Sequence, residues 1–349
     1  MALTPIEESP GLPWERDFQG RLEKLTVVSE ALADNPLGDP ARRPLYVYLP
    51  PGHGEGTRRY PVIYVIQGYT GAIDMWANRT PFEPTMFERV DDLFSGVGAR
   101  RAIVVFVDAW TKLGGSQFLN SPGTGRYLDY LCDEIVPFVD GNYWSIADRE
   151  HRAIAGKSSG GYGAMVLPML RPEVFGALAS HSGDALFEVC YQSEFPSVVR
   201  KLRDHFEGSM DVFWERWQKR ERFDYDLYGS IIEFYGYAAA YSAEPDGTVL
   251  LPFDLDTAAV ISEVWERWLA WDPVRMVPNH AESLRAMRLI HVEAGNRDEA
   301  WLDLGARAFS KALNQNGVDH TFEIFSAGHM GTQYRYPAAL AAPAEAMTP

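Results

Sequence analysis

A stretch of small side chains at residues 153–164 contains the residues best suited to covalent chemistry. Gly156, Ser158 and Gly160 within it have the G-x-S-x-G spacing of a nucleophile elbow, a sharp turn from strand to helix. Such a turn requires small residues two positions before and after the serine, and glycine stands at both. Ser159 has no glycine two residues before it, so Ser158 is the predicted nucleophile. An ordinary glycine turn has the same pattern, so the prediction depends on the surrounding elements.

A serine hydroxyl needs a general base, and the base needs an acid that fixes its tautomer. Behind a nucleophile elbow the acid and the histidine follow in that order along the chain. His329 is the predicted base because it lies on a small-residue loop after the last predicted strand, at 321–325. Asp298 is the predicted acid because it lies on the loop after the strand predicted at 288–293. Three other acids of this region stay open as rivals, namely Glu293, Glu299 and Asp303.

A backbone oxyanion site is predicted where an apolar run at residues 61–67 continues into Gly68 and Tyr69. A hydrolase with such an elbow needs N–H groups that point at the developing oxyanion from the loop after an early central strand. The N–H groups of Tyr69 and Ser159 are the predicted donors. A plain strand-to-loop turn is the alternative for this segment.

Further side chains near predicted strand ends are candidates to line a substrate pocket, although each also fits a purely structural role. These candidates are Gln67, Asp108, Trp110, Gln117, Lys157 and His181. The histidines show neither an HExxH motif nor a paired spacing. The sequence therefore predicts no metal site and no cofactor.

Alternating strands and helices are expected to position these residues. Continuous apolar runs at 61–67 and 101–108 are typical of strands buried on both faces of a mostly parallel sheet. A helical pattern at about 126–140 follows the second run, and this alternation indicates an α/β fold. Further strands are predicted at residues 25–30, 45–49, 151–155, 177–181, 288–293 and 321–325.

Residues 184–272 carry no buried-strand pattern but have helical periodicity and many aromatic side chains. We expect a helical cap over the carboxyl edge of the sheet, with most aromatics packing the cap and a few lining an apolar pocket. The predicted organisation is an N-terminal arm at 1–22, a core at 23–183 and 273–349, and this cap. The Ala/Pro-rich tail from Pro337 is a low-complexity tract.

The composition narrows the class of partner. The 349-residue chain has 32 Lys and Arg against 48 Asp and Glu, a formal net charge of −16, which disfavours nucleic acid. Its N-terminus lacks signal-peptide features and no stretch reaches transmembrane length, so we expect a soluble, cytoplasmic protein without a membrane partner. The expected partner is a small molecule, and a homo-oligomer stays open. Cys132 and Cys190 are predicted to be buried thiols.

With these motifs placed, the chain resembles the putative esterase (esterase D-like) family of α/β hydrolases. That family includes S-formylglutathione hydrolases, enterochelin esterases, family 1 carbohydrate esterases and the mycolyltransferases of the antigen 85 group. The resemblance covers about residues 40–183 and 285–332. Its motifs lie at residues 46–52, 60–68, 127–140, 152–164, 295–298 and 328–329.

The resemblance implies an α/β-hydrolase fold, a Ser-His-Asp triad and hydrolysis of a carboxylic ester through an acyl-enzyme. Gln67 stands where a histidine is common before the oxyanion glycine, and Lys157 where a histidine often precedes the nucleophile. Both departures argue against the S-formylglutathione hydrolase branch, and the long aromatic segment points to a bulky acyl or alcohol group. The alternatives are an acyltransferase of the antigen 85 type and a catalytically silent binding protein on the same fold.

Overall fold

The structure is a computed structural model that describes residues 16–80 and 82–347. In these residues the central sheet comprises β1 (Arg21–Val28), β2 (Arg42–Leu49), β3 (Val62–Ile66), β4 (Ile103–Val107), β5 (Arg152–Ser158), β6 (Ala177–Gly183), β7 (Leu289–Gly295) and β8 (Thr321–Phe325). The strand order is β1-β2-β4-β3-β5-β6-β7-β8. Strand β2 runs antiparallel to both neighbours, and the other neighbouring pairs are parallel. A separate two-stranded ribbon joins Asn120–Ser121 to Gly125–Arg126.

The central strands are buried on both faces, as their continuous apolar sequences predict. Every residue of β3 and of β4 is buried. Strand β1, at the edge of the sheet, has no fully buried residue. Because the parallel strands end at one edge of the sheet, the loops after β3, β5, β7 and β8 meet there.

Helices cover both faces of the sheet, which is the α/β architecture predicted from the sequence. The α-helices are α1 (Met86–Ser95), α2 (residues 127–142), α3 (Ser159–Leu170), α4 (Phe187–Cys190), α5 (Phe195–Phe206), α6 (Met210–Lys219), α7 (Ser230–Tyr241), α8 (Ser262–Leu269), α9 (Pro273–Arg285), α10 (Leu302–Gln315) and α11 (Tyr336–Ala346). The middle of α2, Tyr130–Ile135, is π-helical. Helices α1 and α11 pack on one face of the sheet, and α2, α3 and α10 pack on the other. Within the described ranges no helix combines the length and the hydropathy needed to span a membrane.

Helices α1 and α11 lie where none was predicted. Helix α1 begins at a capping box, in which Glu88 N–H donates to Thr85 Oγ1 at 3.2 Å and Thr85 N–H donates to Glu88 Oε2 at 2.7 Å. Helix α11 occupies the Ala/Pro-rich tail and buries Leu340 completely against the sheet. Alanine has the highest helix propensity, so a composition that resembles a low-complexity tract forms a core helix here.

Residues 184–272 contain α4 to α8, and their aromatic side chains contact one another. Trp268 is fully buried and lies with its ring centroid 6.4 Å from that of Phe195. The ring centroid of Tyr241 of α7 lies 5.8 Å from that of Tyr162 of α3, so this segment packs on the helix that follows Ser158. The limits of a separate cap stay a prediction.

The predicted N-terminal arm at 1–22 lies largely outside the described residues. Strand β1 begins at Arg21, so the last two residues of that arm already belong to the sheet. Arg16 lies against α1, where its Nη1 donates to Asp92 Oδ1 at 2.6 Å.

Candidate active site

The turn between β5 and α3 holds Ser158 in a strained backbone conformation, with φ 58° and ψ −128°. A Cβ at Gly160 would lie 2.5 Å from the Ile66 carbonyl oxygen, and one at Gly156 would collide with the Gly160 carbonyl. A larger residue at Gly160 would therefore push the turn away from β3, and one at Gly156 would force the two sides of the turn apart. The hydroxyl of Ser158 lies at the N-terminus of α3, where negative charge is favoured.

His329 lies on the loop after β8 and Asp298 on the loop after β7. The ring Nδ1 of His329 is 2.8 Å from Asp298 Oδ2, and the Asp298 side chain has no exposed surface. The backbone N–H of His329 donates to Glu299 Oε2 at 2.7 Å, which holds the loop in place. Ser158 and His329 line one cavity, and in the described part of the chain no hydrogen bond joins their side chains.

The surroundings of Asp298 keep its carboxyl ionised. Burial acts to raise the pKa of Asp298, but the hydrogen bond from His329 and the N–H of Ala300 hold it below its usual range. Because an ionised carboxylate only accepts hydrogen bonds, His329 carries its proton on Nδ1. Its Nε2 is then free to accept a proton.

The rival acids bond to other groups. Glu293 is buried and accepts hydrogen bonds from His181, at 2.7 Å, and from Arg335. Asp303 lies in the first turn of α10. Glu299 bonds the backbone of His329 rather than its ring. Of the candidate acids, Asp298 is therefore the one that contacts the imidazole of His329.

Two backbone N–H groups belong to residues that flank Ser158 and its neighbour Gly68. Gly68 approaches the Ser158 side chain so closely that a Cβ there would be 3.3 Å from the Ser158 Cβ. The N–H groups of Tyr69, next in the chain, and of Ser159, the first residue of α3, have no acceptor in the described residues. Free N–H groups at this place suit the stabilisation of an oxyanion.

The side chain of Tyr69 anchors the first of these N–H groups. Its hydroxyl donates to the Leu113 carbonyl oxygen at 2.6 Å, and its ring centroid lies 5.4 Å from that of Tyr237 on α7. Burial raises the pKa of Tyr69 well above its usual range, so the hydroxyl keeps its proton and its bond.

A cavity of about 300 Å³ opens beside Ser158 and His329. Its walls come from the loop after β3, from residues 73–89 and from residues 329–336, whereas no residue of 184–272 lines it. The expectation that aromatic side chains of the predicted cap line the pocket is therefore wrong for this cavity. The other lining residues are Gly68, Tyr69, Gly71, Met75, Trp76, Asn78, Thr80, Glu83, Pro84, Met86, Arg89, Lys157, Met330, Thr332, Gln333 and Tyr336.

Of the six predicted pocket-lining residues, Lys157 lies in this cavity. Its side chain is half-buried. Burial lowers the pKa of Lys157, and the charges of Asp298 and Glu299 oppose that shift.

Three other candidates lie outside the cavity, near the neighbouring strand ends. Asp108 is buried beside Arg43, whose Nη1 is 3.2 Å from its carboxylate, and burial raises the pKa of Asp108 to about 6. Gln67 is buried directly after β3. Trp110 is 37% exposed on the loop after β4. None of the three lines the cavity, so the prediction that they contact substrate has no support from it.

Gln117 and His181 are likewise buried in hydrogen-bond networks outside the cavity. Gln117 Nε2 donates to the Tyr241 hydroxyl at 2.9 Å. His181 donates through Nδ1 to Glu293, and its Nε2 lies 3.1 Å from Thr332 Oγ1. Through Thr332, His181 contacts the loop that carries His329.

Asp184 is a buried acid near the site that was not predicted. Its Oδ2 accepts hydrogen bonds from Ser159 Oγ at 3.1 Å and from the Tyr191 hydroxyl at 2.8 Å. Burial raises the pKa of Asp184, and these bonds oppose the shift. A lone Asp after a strand carries no sequence signal of such a network. Across residues 16–80 and 82–347 no three His, Cys, Asp or Glu side chains cluster as metal ligands.

Comparison with known proteins assigns the family. The sequence matches the family described as "Putative esterase" over residues 40–342. It is 26% identical over 184 residues to an endo-1,4-beta-xylanase/feruloyl esterase of Xylanibacter ruminicola, covering 51% of this chain and 24% of that protein. It is 29% identical over 143 residues to an esterase of Mycobacterium tuberculosis, covering 40% and 28%. The chain thus spans about a quarter of the length of the curated relatives it matches.

Solved structures show the same fold. A ferulic acid esterase superimposes with a TM-score of 0.60 at 20% identity, covering 95% of this chain and 100% of the other. An S-formylglutathione hydrolase of Agrobacterium tumefaciens gives a TM-score of 0.58 at 15% identity, covering 96% and 98%. These likenesses confirm the predicted α/β-hydrolase fold. With the family match spanning residues 40–342, the chain belongs to the putative esterase family.

Proposed function

We propose that this protein is a serine hydrolase that cleaves a carboxylic ester through an acyl-enzyme. Ser158 is the nucleophile, His329 the general base and Asp298 the acid. The N–H groups of Tyr69 and Ser159 form the oxyanion hole. Membership of an esterase family and the geometry around Ser158 both support this assignment.

In the acylation step Ser158 Oγ attacks the ester carbonyl carbon, and its proton passes to His329 Nε2. The carbonyl oxygen becomes an oxyanion that accepts hydrogen bonds from the Tyr69 and Ser159 N–H groups. Asp298 stabilises the imidazolium that forms at His329. When the tetrahedral intermediate collapses, His329 returns the proton to the alcohol oxygen, the alcohol leaves and the acyl group stays on Ser158.

Deacylation repeats these steps with water as the nucleophile. His329 Nε2 removes a proton from a water molecule that attacks the acyl carbon, and the same two N–H groups stabilise the second oxyanion. Collapse of this intermediate releases the carboxylic acid and restores the Ser158 hydroxyl.

The observation that carries the proposal is the 2.8 Å contact between His329 Nδ1 and the buried Asp298 carboxylate. It orients the imidazole of His329, a residue that lines the same cavity as Ser158. A base oriented by an acid is what the chemistry of a serine nucleophile requires.

The experiment is active-site labelling with a fluorophosphonate, together with turnover of acetyl, feruloyl, lactone and long-acyl esters. Ser158→Ala should lose both labelling and turnover. The matched control is Ser159→Ala, which removes the neighbouring hydroxyl but keeps the backbone N–H, and which should still be labelled. Turnover at the wild-type rate in Ser158→Ala would refute the proposal.

A further inference from the structure

Lys157 places a cation directly beside the proposed nucleophile. It precedes Ser158 on β5, and its side chain shares a face of the strand with Ala153 and Ala155 because successive side chains alternate between faces. That face packs against α1 and α11, which also supply Met86 and Tyr336 to the cavity wall. The Lys157 side chain therefore forms part of the cavity floor.

The Lys157 ammonium has neither an ion pair nor a hydrogen bond to another described residue. The nearby acids are engaged elsewhere: Asp298 contacts His329 Nδ1 at 2.8 Å, and Glu299 accepts the His329 backbone N–H at 2.7 Å. In the cavity wall, Glu83 lies 3.2 Å from Arg89.

An unpaired, half-buried cation is unfavourable in an empty site, since burial removes part of its hydration. The cost falls when an anion enters and pairs with it. The chain has a formal net charge of −16, so an unpaired positive charge beside the proposed nucleophile contrasts with the charge of the protein as a whole.

We propose that Lys157 binds a carboxylate carried by the ester substrate, so that the preferred substrates are small anionic esters. This inference rests on the proposed hydrolysis at Ser158. A cavity of about 300 Å³ is at the small end of ligand pockets, which suits an ester with one ring or a short chain. Met75 and Met330, 42% and 75% exposed, supply apolar contacts at the same cavity.

The test compares esters that differ only in charge. 3-Acetoxybenzoate and 3-acetoxybenzamide share the acetyl group and carry a carboxylate or a neutral amide on the alcohol part. Phenyl hydrogen adipate and its amide make the same comparison on the acyl part. For each pair the measured quantity is the ratio of kcat/KM for the anionic ester to kcat/KM for the neutral ester.

The wild type should prefer the anionic member of at least one pair, and Lys157→Met should lower that ratio by about tenfold or more, the size expected for a lost charge-assisted hydrogen bond. Lys157→Arg, which keeps the charge, should retain the preference. Because the ratio compares two esters on one variant, a general loss of activity cancels. A Lys157-dependent preference in either pair supports the proposal and identifies the part of the ester that lies in the cavity.

A ratio that is the same in Lys157→Met and the wild type, for both pairs, would overturn the proposal. A second measurement needs no variant: benzoate should inhibit the wild type competitively and more strongly than benzamide, and equal inhibition by the two would also count against it. Ser158→Ala is assayed in parallel. Turnover retained in Ser158→Ala would refute the serine mechanism, whereas its loss together with an unchanged ratio in Lys157→Met would refute the Lys157 proposal alone.

Discussion

Replacing Asp298 by asparagine tests the proposed catalytic arrangement most directly. The change keeps the size of the side chain but removes the charge beside His329. An asparagine amide can also donate a hydrogen bond to Nδ1, which would place the imidazole proton on Nε2. In that tautomer His329 cannot accept the proton of Ser158.

The structure allows the size of the effect to be worked out. The Asp298 side chain has no exposed surface, and its carboxylate lies 2.8 Å from His329 Nδ1. Two charges centred about 4 Å apart at an effective dielectric constant of about 20 attract by about 4 kcal/mol. Loss of that stabilisation from the transition state slows acylation by about 10³-fold, and the wrong tautomer raises the expected loss toward about 10⁴-fold.

The assay is the second-order rate of fluorophosphonate labelling, because it reports on nucleophile activation without knowledge of the natural substrate. It is paired with kcat/KM on an aryl acetate. Glu293→Gln is the matched control, since it neutralises a second buried carboxylate that bonds His181 instead of His329. If Asp298→Asn stays within about tenfold of the wild type while Glu293→Gln abolishes labelling, the reasoning from the His329 contact is refuted.

Three further predictions follow from the same geometry. Gly160→Ala should lower the free energy of unfolding by at least about 2 kcal/mol and abolish labelling, because the added Cβ would lie 2.5 Å from a β3 carbonyl; wild-type urea stability would contradict this. Burial acts to raise the pKa of Glu293, but contacts with His181, His291 and Arg335 hold it below its usual range. The ionised Glu293 therefore stabilises the fold above the unfolded carboxyl pKa of about 4.3, and this stabilisation is lost as the pH falls below that value. Below about pH 4.3 the urea midpoint should decline less steeply with falling pH in Glu293→Gln than in the wild type. Millimolar acceptor alcohol should leave free acid as the main product of ester turnover, and predominant transfer product would favour the acyltransferase alternative.

The strands were predictable because burial on both faces leaves a continuous apolar sequence. The runs at 61–67 and 101–108 contain β3 and β4 with shifts of at most two residues at each end. The elbow was predictable because the backbone is so crowded at Gly156 and Gly160 that only glycine fits at these two positions. The expected order of nucleophile, acid and histidine along the chain then predicted the acid on the loop after β7 and the histidine on the loop after β8. The fold brings these two loops together at one edge of the sheet.

The cavity walls were not predictable in the same way. Ile73–Ala77 form a short 3₁₀ helix and α1 begins at Met86, so the wall residues from this part of the chain follow no single periodic pattern. Most aromatic side chains of 184–272 were expected to pack and a few to line a pocket; rings there pack on one another and on α3, and none of them lines this cavity. A sequence gives the composition of such a segment without the direction its side chains face. The same limit applies at the predicted strand ends, where five of the six predicted pocket-lining residues fall outside the cavity.

The two segments near the site, 184–272 and 73–89, are expected to affect different kinetic constants of the proposed reaction. Residues 184–272 reach the site through Tyr237, which packs on the ring of Tyr69, and therefore act on the N–H that would hold the oxyanion. That interaction strengthens in the transition state, so we infer that changes there alter kcat. The cavity-lining residues among 73–89 would contact the substrate in the ground state as well as in the transition state, so changes to them alter KM. Variation of substrate preference within this architecture is therefore expected to follow the segment before and within α1, while the aromatic segment preserves the geometry on which turnover depends.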